Sequence, residues 1–374
     1  MRRRYINDCI GDFNVWDGTS SSSLQGSGTE SNPYLITSGR DLSYFSKQVT
    51  NGNSYSGKYI KVTNNIDLNN IEWVGIGSCT GFRNTTTGKP FSGIFDGGFN
   101  IIRNINIQDV SNTHRGLFNF VKNGTIKNLV IENIYRIIKS YGYIRSGQDG
   151  SWYNKSLFIG YPFICNIDSC IFKDLRYEIS SSGITGTPGS ENICELLGQE
   201  FGNISDSVNG MSNMTNCFIY NVYSNTNSNF MTCGYGRYSG NEYQNGLGNC
   251  YLSGEFKALG GEKEVYPIWH FWNNGACWNC GNYLQSLPRN TKWLFCGGYG
   301  GYITNNVYDS SKITPPESGR NEGKVGKSTK DLTNGSYVIS ENYEAVSGHY
   351  PQLKVFKNNS NPYIRELSEI STRV

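Results

Sequence analysis

The stretch Ile126-Lys-Asn-Leu-Val-Ile-Glu-Asn-Ile134 recurs along the chain. It returns as Ile102-Arg-Asn-Ile-Asn-Ile-Gln-Asp-Val110 and Ile167-Asp-Ser-Cys-Ile-Phe-Lys-Asp-Leu175. Further copies are Met214-Thr-Asn-Cys-Phe-Ile-Tyr-Asn-Val222 and Leu247-Gly-Asn-Cys-Tyr-Leu-Ser-Gly-Glu255. A repeated strand–turn–strand unit of fixed internal spacing points to a solenoid. In one straight strand, Ile126 would face opposite to Leu129 and Ile131. All three reach one interior only if the chain bends at Asn128, and Asn tolerates the left-handed backbone that such a bend needs.

The bend positions read Asn104, Asn128, Ser169, Asn216 and Asn249, and decayed copies at Cys277-Trp-Asn-Cys280 and Ile303-Thr-Asn-Asn306 add Asn279 and Asn305. Five residues after the bend a second turn-former appears: Asp109, Asn133, Asp174, Asn221, Gly254. An apolar residue follows it in Val110, Ile134, Leu175 and Val222, and Glu255 breaks the rule. Leu117-Phe118, Leu157-Phe158, Ile268-Trp269 and Leu294-Phe295 lie eleven or twelve residues before their bends, which predicts at least three short strands per coil. Bend-to-bend distances of 24 to 47 residues predict loops of varying length on a regular core. The expected fold is therefore all-β: a right-handed parallel β-helix with terminal caps, ~50 Å long if ten or so coils stack at ~4.8 Å.

Composition agrees. Gly (45) and Tyr (26) are abundant and charged residues make up only 17%, as in a turn-rich all-β chain. One helix is expected, over Gly39–Val49, where Leu42, Phe45 and Val49 share a face. We expect an N-terminal arm and cap over residues 1–50, the β-helix over 51–324 and a closing segment over 325–374. The net charge of +3 is too weak for a nucleic-acid partner, and Arg2-Arg3-Arg4 is the one basic cluster. No apolar run approaches a membrane span, and Tyr5–Trp16 lacks the apolar stretch of a secretory signal. Synthesis and folding in a cytoplasm are expected. There is no heptad to specify a trimer, although β-helix fibres often trimerise.

The eleven cysteines invite a disulfide or zinc reading. Their positions favour another: Cys170, Cys217, Cys250 and Cys280 occupy the slot of Ile105 and Leu129, as an inward column of small apolar side chains. No metal or cofactor is expected, although Cys277-Trp-Asn-Cys280 with Cys296 and His270 is the nearest thing to a ligand set. Carboxylate pairs for glycan cleavage could come from Asp168 with Asp174, Glu195 with Glu200, or Glu262 with Glu264. No hydrolase elbow, HExxH, P-loop or calcium-loop pattern occurs, and His114, His270 and His349 are far apart. The aromatic-rich stretch from Tyr266 to Tyr308 supplies candidate surface residues for a sugar or protein partner: Trp272, Trp278, Tyr283, Tyr299 and Tyr302. Trp272 and Trp278 are the better surface candidates of these, Trp278 because it lies between two inward cysteines.

The N-terminal third resembles bacterial and phage right-handed β-helix surface proteins with GLUG-type repeats. Gly28-Thr-Glu-Ser-Asn-Pro-Tyr-Leu-Ile36, Trp73-Val-Gly-Ile-Gly77, Phe91-Ser-Gly-Ile-Phe-Asp-Gly97 and Gly116-Leu-Phe118 carry the likeness, and Gly348-His-Tyr-Pro-Gln-Leu353 resembles their closing segment. The start Met1-Arg-Arg-Arg4 is similar to openings in gut Bacteroidales proteins and their phages. The resemblance implies a non-enzymatic virion component, such as a tail or head fibre, bound to other virion or surface proteins through a terminal cap. It also admits a polysaccharide depolymerase and a glycan-binding bacterial surface adhesin. Fold alone does not choose among these.

Overall fold

The protein is described by a computed structural model covering residues 11–79, 88–108, 114–138, 156–179, 192–194, 196–197, 212–225, 229–231, 235–236, 245–260, 265–267, 270–271, 275–291, 294–295, 302–316 and 323–374. Two long, all-parallel sheets wind as a right-handed β-helix. The first has ten strands, from Phe13–Val15 through Ile101–Gln108, Val130–Ile138, Ile171–Ile179, Phe218–Asn225 and Tyr251–Ala258 to Lys324–Lys327. The second has nine, from Tyr34–Ile36 through Thr125–Lys127, Asn166–Asp168, Ser212–Thr215, Asn245–Gly248 and Gly275–Trp278 to Tyr302–Thr304. Ten strands at ~4.8 Å make a rod of ~43 Å. A third face is built from Phe118–Lys122 paired with Ile159–Phe163.

The bends behave as their residue types require. Asn104, Asn128, Ser169, Asn216, Asn249, Asn279 and Asn305 all have φ between 50° and 55°. Asn133, Asp174, Asn221 and Gly254 also have positive φ. Side chains tie neighbouring coils at these corners: Asn128 Nδ2 donates to Asp96 Oδ1 (3.0 Å), Asn279 to Asn249 (3.2 Å) and Asn305 to Asn279 (2.8 Å).

One register differs from the sequence alignment. Ile102 pairs with Ile131 and Ile105 with Ile134, so Asn104 stacks in the second corner, below Asn133, and not in the first corner below Asn128. Its carboxamide confirms the column, accepting from Asn133 Nδ2 and donating to Asp67 Oδ1. The first corner of that coil is Gly98-Phe99, both with φ 56°. Ile105 likewise belongs to the column of Ile134, Leu175 and Val222, not to the cysteine slot. The two corners of the unit read alike in sequence, each with an apolar residue two before and one after an Asn, so the pattern alone permits a five-residue slip. Glu255 has a related explanation. The ladder shifts between Tyr220 and Val222, Val222 pairs with Phe256, and the extra residue is absorbed at Gly254. Phe256 thus fills the apolar slot, and Glu255 is exposed.

The interior is filled by columns. Ile60, Phe95, Ile126, Ile167, Met214, Leu247 and Cys277 line the second sheet; Ile66, Ile102, Ile131, Phe172, Ile219 and Leu252 line the first. The expected helix runs over Gly39–Thr50, with Ser38 accepting from Asp41 N–H as its cap. Leu42, Phe45 and Val49 are buried, and Phe45 packs on Phe91 and Phe95 at the start of the solenoid. Residues 11–50 do more than cap, since they also supply the first strand of each long sheet. Leu196-Leu197, which reads as part of an insertion, stacks on the preceding coil's Leu157-Phe158-Ile159: Leu197 bridges Ile159, and Leu196 O accepts from the Phe158 and Ile159 N–H groups.

The closing segment does something the sequence does not announce. Residues 337–373 run back along the outside of the first sheet as a lateral strap. They bury its outward column of Ile101, Val130, Ile171, Phe218, Tyr251 and Val307 beneath Tyr343, Tyr350, Leu353, Phe356, Tyr363, Ile364 and Leu367. Phe356 meets Phe99 and Phe218 edge-on, Tyr251 Oη lies 2.8 Å from Ser371 Oγ, and the Tyr363 hydroxyl donates to Glu132.

Two stability changes follow from this geometry. Asn128→Ala keeps neither the left-handed tolerance nor the Asp96 bond, so it lowers stability by ~1–2 kcal/mol, with Asn128→Gly milder because glycine accepts the backbone. Thermal melts of the two variants against wild type read this order. Phe356→Ala removes the central anchor of the strap at a cost of ~3–5 kcal/mol; limited proteolysis then cuts within 337–373 first, while far-UV circular dichroism keeps the β signal.

Candidate functional site

The corner carboxylates are engaged in structure. Asp168 Oδ1 accepts from Thr215 Oγ1 (2.7 Å) and Asn216 Nδ2 (2.9 Å), and its Oδ2 accepts from Ser169 Oγ (2.8 Å). Asp174 stands at the other corner, accepting from Asn221 Nδ2 (2.8 Å) with Lys173 Nζ 3.8 Å away. The two therefore serve different ladders. Glu195, Glu200, Glu262 and Glu264 lie outside the described residues. His114 is buried against the Tyr161 ring, and His349 Nδ1 lies 3.3 Å from Thr372 Oγ1.

The cysteine column is a continuous file. Cys170, Cys217, Cys250 and Cys280 are buried free thiols, each donating to the carbonyl two residues earlier, at 3.3, 3.0, 3.2 and 3.3 Å. The amides of Cys170 and Cys217 donate in turn to the sulfurs of Cys217 and Cys250 one coil on. Asn306 ends the file: its Oδ1 accepts from Cys280 N–H (2.8 Å) and its Nδ2 donates to Cys277 O (2.9 Å). A small side chain is required because the next coil's residue stacks directly on it, and sulfur also serves as a weak donor at the bend. Among the described residues no group of three His, Cys, Asp or Glu side chains comes together as a metal site.

With the first sheet strapped, the second sheet is the long sheet whose outer face no described segment straps. Its outward column reads Lys61, Asp96, Lys127, Asp168, Thr215, Gly248, Trp278, Thr304. A parallel column reads Thr125, Asn166, Asn213, Gly246, Ala276. Acidic and basic groups alternate along the first, and Lys127 Nζ is 3.9 Å from Asp96. Trp278 is half-buried and lies across the two glycines of the preceding strand. A Cβ on Gly248 would sit 2.2 Å from the indole Cε2, and one on Gly246 would sit 2.5 Å from Cζ3. Because both outward Cα directions run into the ring, the indole lies flat on the sheet and presents its other face outward. Its Nε1–H and the side-chain carboxamides of Asn213 and Asn166 have no hydrogen-bond partner among the described residues. No sequence signal singles out Gly246 and Gly248, because their relation to Trp278 exists only between coils.

The other aromatic candidates divide. Tyr283 is a correction: it is fully buried, its ring stacked on Tyr350 at 4.5 Å. It follows Gly281 and Asn282, so strand alternation points it outward on the first sheet, beneath the strap. Tyr302 pairs with Ala276 in the ladder. Trp272 and Tyr299 lie outside the described residues.

No protein-family profile matches the chain. No curated protein matches it either. Among solved structures it is similar to a "putative immunoglobulin A1 protease" from Bacteroides ovatus, with 16% identity and a TM-score of 0.48 over 83% of this chain and 88% of that one. No helix among the described residues is long and apolar enough to cross a membrane.

Burial of thiols fixes an alkaline limit. Cys79 and Cys165, ordinarily near 9.0, are pushed up to about 12 by burial. Between those values the unfolded chain holds fewer protons than the native one, so stability falls as pH rises from about 9 toward 12. A melting series across that window shows the decline, and it is shallower in Cys79→Ala/Cys165→Ala. The seven described thiols stay unreactive to Ellman's reagent at pH 8 until denaturant is added.

Proposed function

We propose that this chain is a non-catalytic attachment component of a virion, a rigid rod that presents the outer face of its second sheet to a receptor and joins its assembly through a terminal segment. One observation carries the reading. Of the two long sheets, the second is the one whose outer face no described segment straps; its carboxylates are engaged in corner and cross-coil contacts, and it bears a flat indole beside side-chain donors that have no partner among the described residues. Such a face suits recognition: the stacked coils fix the backbone from which the indole and the Asn side chains project before any ligand arrives, so little backbone ordering is lost on binding. A carboxylate of the Asp168 kind, holding three hydrogen bonds at a corner, is poorly placed to exchange protons with a substrate.

Peptide mass spectrometry on density-purified particles from the source culture tests this directly. The expected result is that the chain co-purifies with particles at a fixed ratio to the major capsid protein, and that purified chain leaves host polysaccharide at its original length. Detection on cell envelopes only, or shortening of the polysaccharide, overturns the proposal in favour of an adhesin or a depolymerase respectively.

A further inference from the structure

We infer that the face around Trp278 binds an uncharged polysaccharide laid parallel to the solenoid axis, one sugar ring per coil; this rests on the attachment reading above and names its ligand. Three features select the chemistry. First, a flat, outward-facing indole is a platform for the C–H face of a pyranose ring, burying apolar area while the ring's hydroxyls stay at its rim. The glycines at Gly246 and Gly248 are what allow it to lie flat, since any side chain there would lift it.

Second, the rim groups are amides, one indole N–H and a hydroxyl. Trp278 Nε1–H and the side-chain carboxamides of Asn213 and Asn166 are without partners among the described residues, and Thr215 Oγ1, which donates to Asp168, retains acceptor capacity. Amides both donate and accept, which matches sugar hydroxyls that do the same. Third, the charges on this face cancel. Lys61, Asp96, Lys127 and Asp168 alternate in sign along one column, so no net field attracts a polyanion or a polycation.

The spacing sets the direction. Coils repeat at ~4.8 Å, close to the length of one hexopyranose unit. A ring stacked on the indole sits over the Asn245–Gly248 coil. The next ring along the axis then meets Asn213 and Thr215, and the one beyond meets Asn166. A chain laid across the strands would leave the indole and the amides at mismatched intervals.

The full chain is tested by affinity electrophoresis in gels containing galactomannan, xyloglucan or yeast mannan as neutral probes and alginate or heparin as anionic ones. The expected outcome is retardation by at least one neutral polymer, unchanged between low and high salt, with Trp278→Ala weakening it at least tenfold, Trp278→Phe weakening it less, and Asn213→Ala weakening it severalfold. In the unaltered protein, the same polymer protects Trp278 from N-bromosuccinimide oxidation, read by peptide mapping, which keeps the test independent of how any variant folds. Retardation only by anionic polymers with loss in salt, equal affinity in Trp278→Ala, or no retardation by any neutral probe overturns the inference. The particle-association measurement above is unaffected by any of these results, so failure of the ligand assignment and failure of the attachment reading are separable.

Discussion

From Gly98-Phe99 to Asn305, each described corner that leads from the second long sheet to the first places a residue in the left-handed backbone region. For most L-residues that conformation costs ~1–2 kcal/mol, and asparagine lowers the cost because its short carboxamide finds local partners. Here the carboxamide also reaches the next coil, as Asn279 and Asn305 do. The bend has a second consequence. It reverses the parity of the strand, so Ile126 before the corner and Leu129 and Ile131 after it all face inward. Without the reversal, one of the two sheets would turn its apolar residues to water. The exception at Phe99 is instructive: a phenylalanine with φ 56° lacks the carboxamide, and its ring is held by Phe356 of the strap.

Much of this was legible in the residues. Seven of the marked positions bend as their side chains predict, and the inward cysteines follow from their place one residue past the bend. The helix over Gly39–Thr50 was equally readable, because Leu42, Phe45 and Val49 share one face. What was not legible involves comparison between coils. Asn104 fits either corner by pattern, and only the pairing of Ile102 with Ile131 decides. Tyr283 looks like a surface aromatic until a segment nearly seventy residues later covers it, and nothing local encodes that cover. The indole platform was half visible: alternation after Cys277 sends Trp278 outward, but the glycine floor beneath it comes from another coil.

The strap explains why the two flanks of the rod differ. The outer column of the first sheet runs Ile101, Val130, Ile171, Phe218, Tyr251, Val307, an apolar stripe that could not stand open to water on an isolated chain. The corresponding outer columns of the second sheet carry Lys, Asp, Asn, Thr and Gly. One chain thus closes one flank with its own C-terminal residues, and no described segment closes the other in the same way. On the closed flank Lys173 is bonded to Glu132 at 3.1 Å beside the Tyr363 hydroxyl, whereas Tyr283 Oη, Gln352 Oε1 and Ser368 Oγ are buried with no hydrogen-bond partner among the described residues.

That asymmetry narrows where recognition can occur. A ligand on the first sheet would have to displace aromatic packing such as the Tyr283–Tyr350 stack, at a cost no surface contact offsets. A ligand on the second sheet meets no strap among the described residues. The second sheet's outer face is also tied at the corners beside it, because Asp168 Oδ1 accepts from both Thr215 Oγ1 and Asn216 Nδ2 of the neighbouring coil. The ladder that sets the fold therefore also fixes the spacing at which the exposed amides and the indole are offered, and any partner must match the period of the coil.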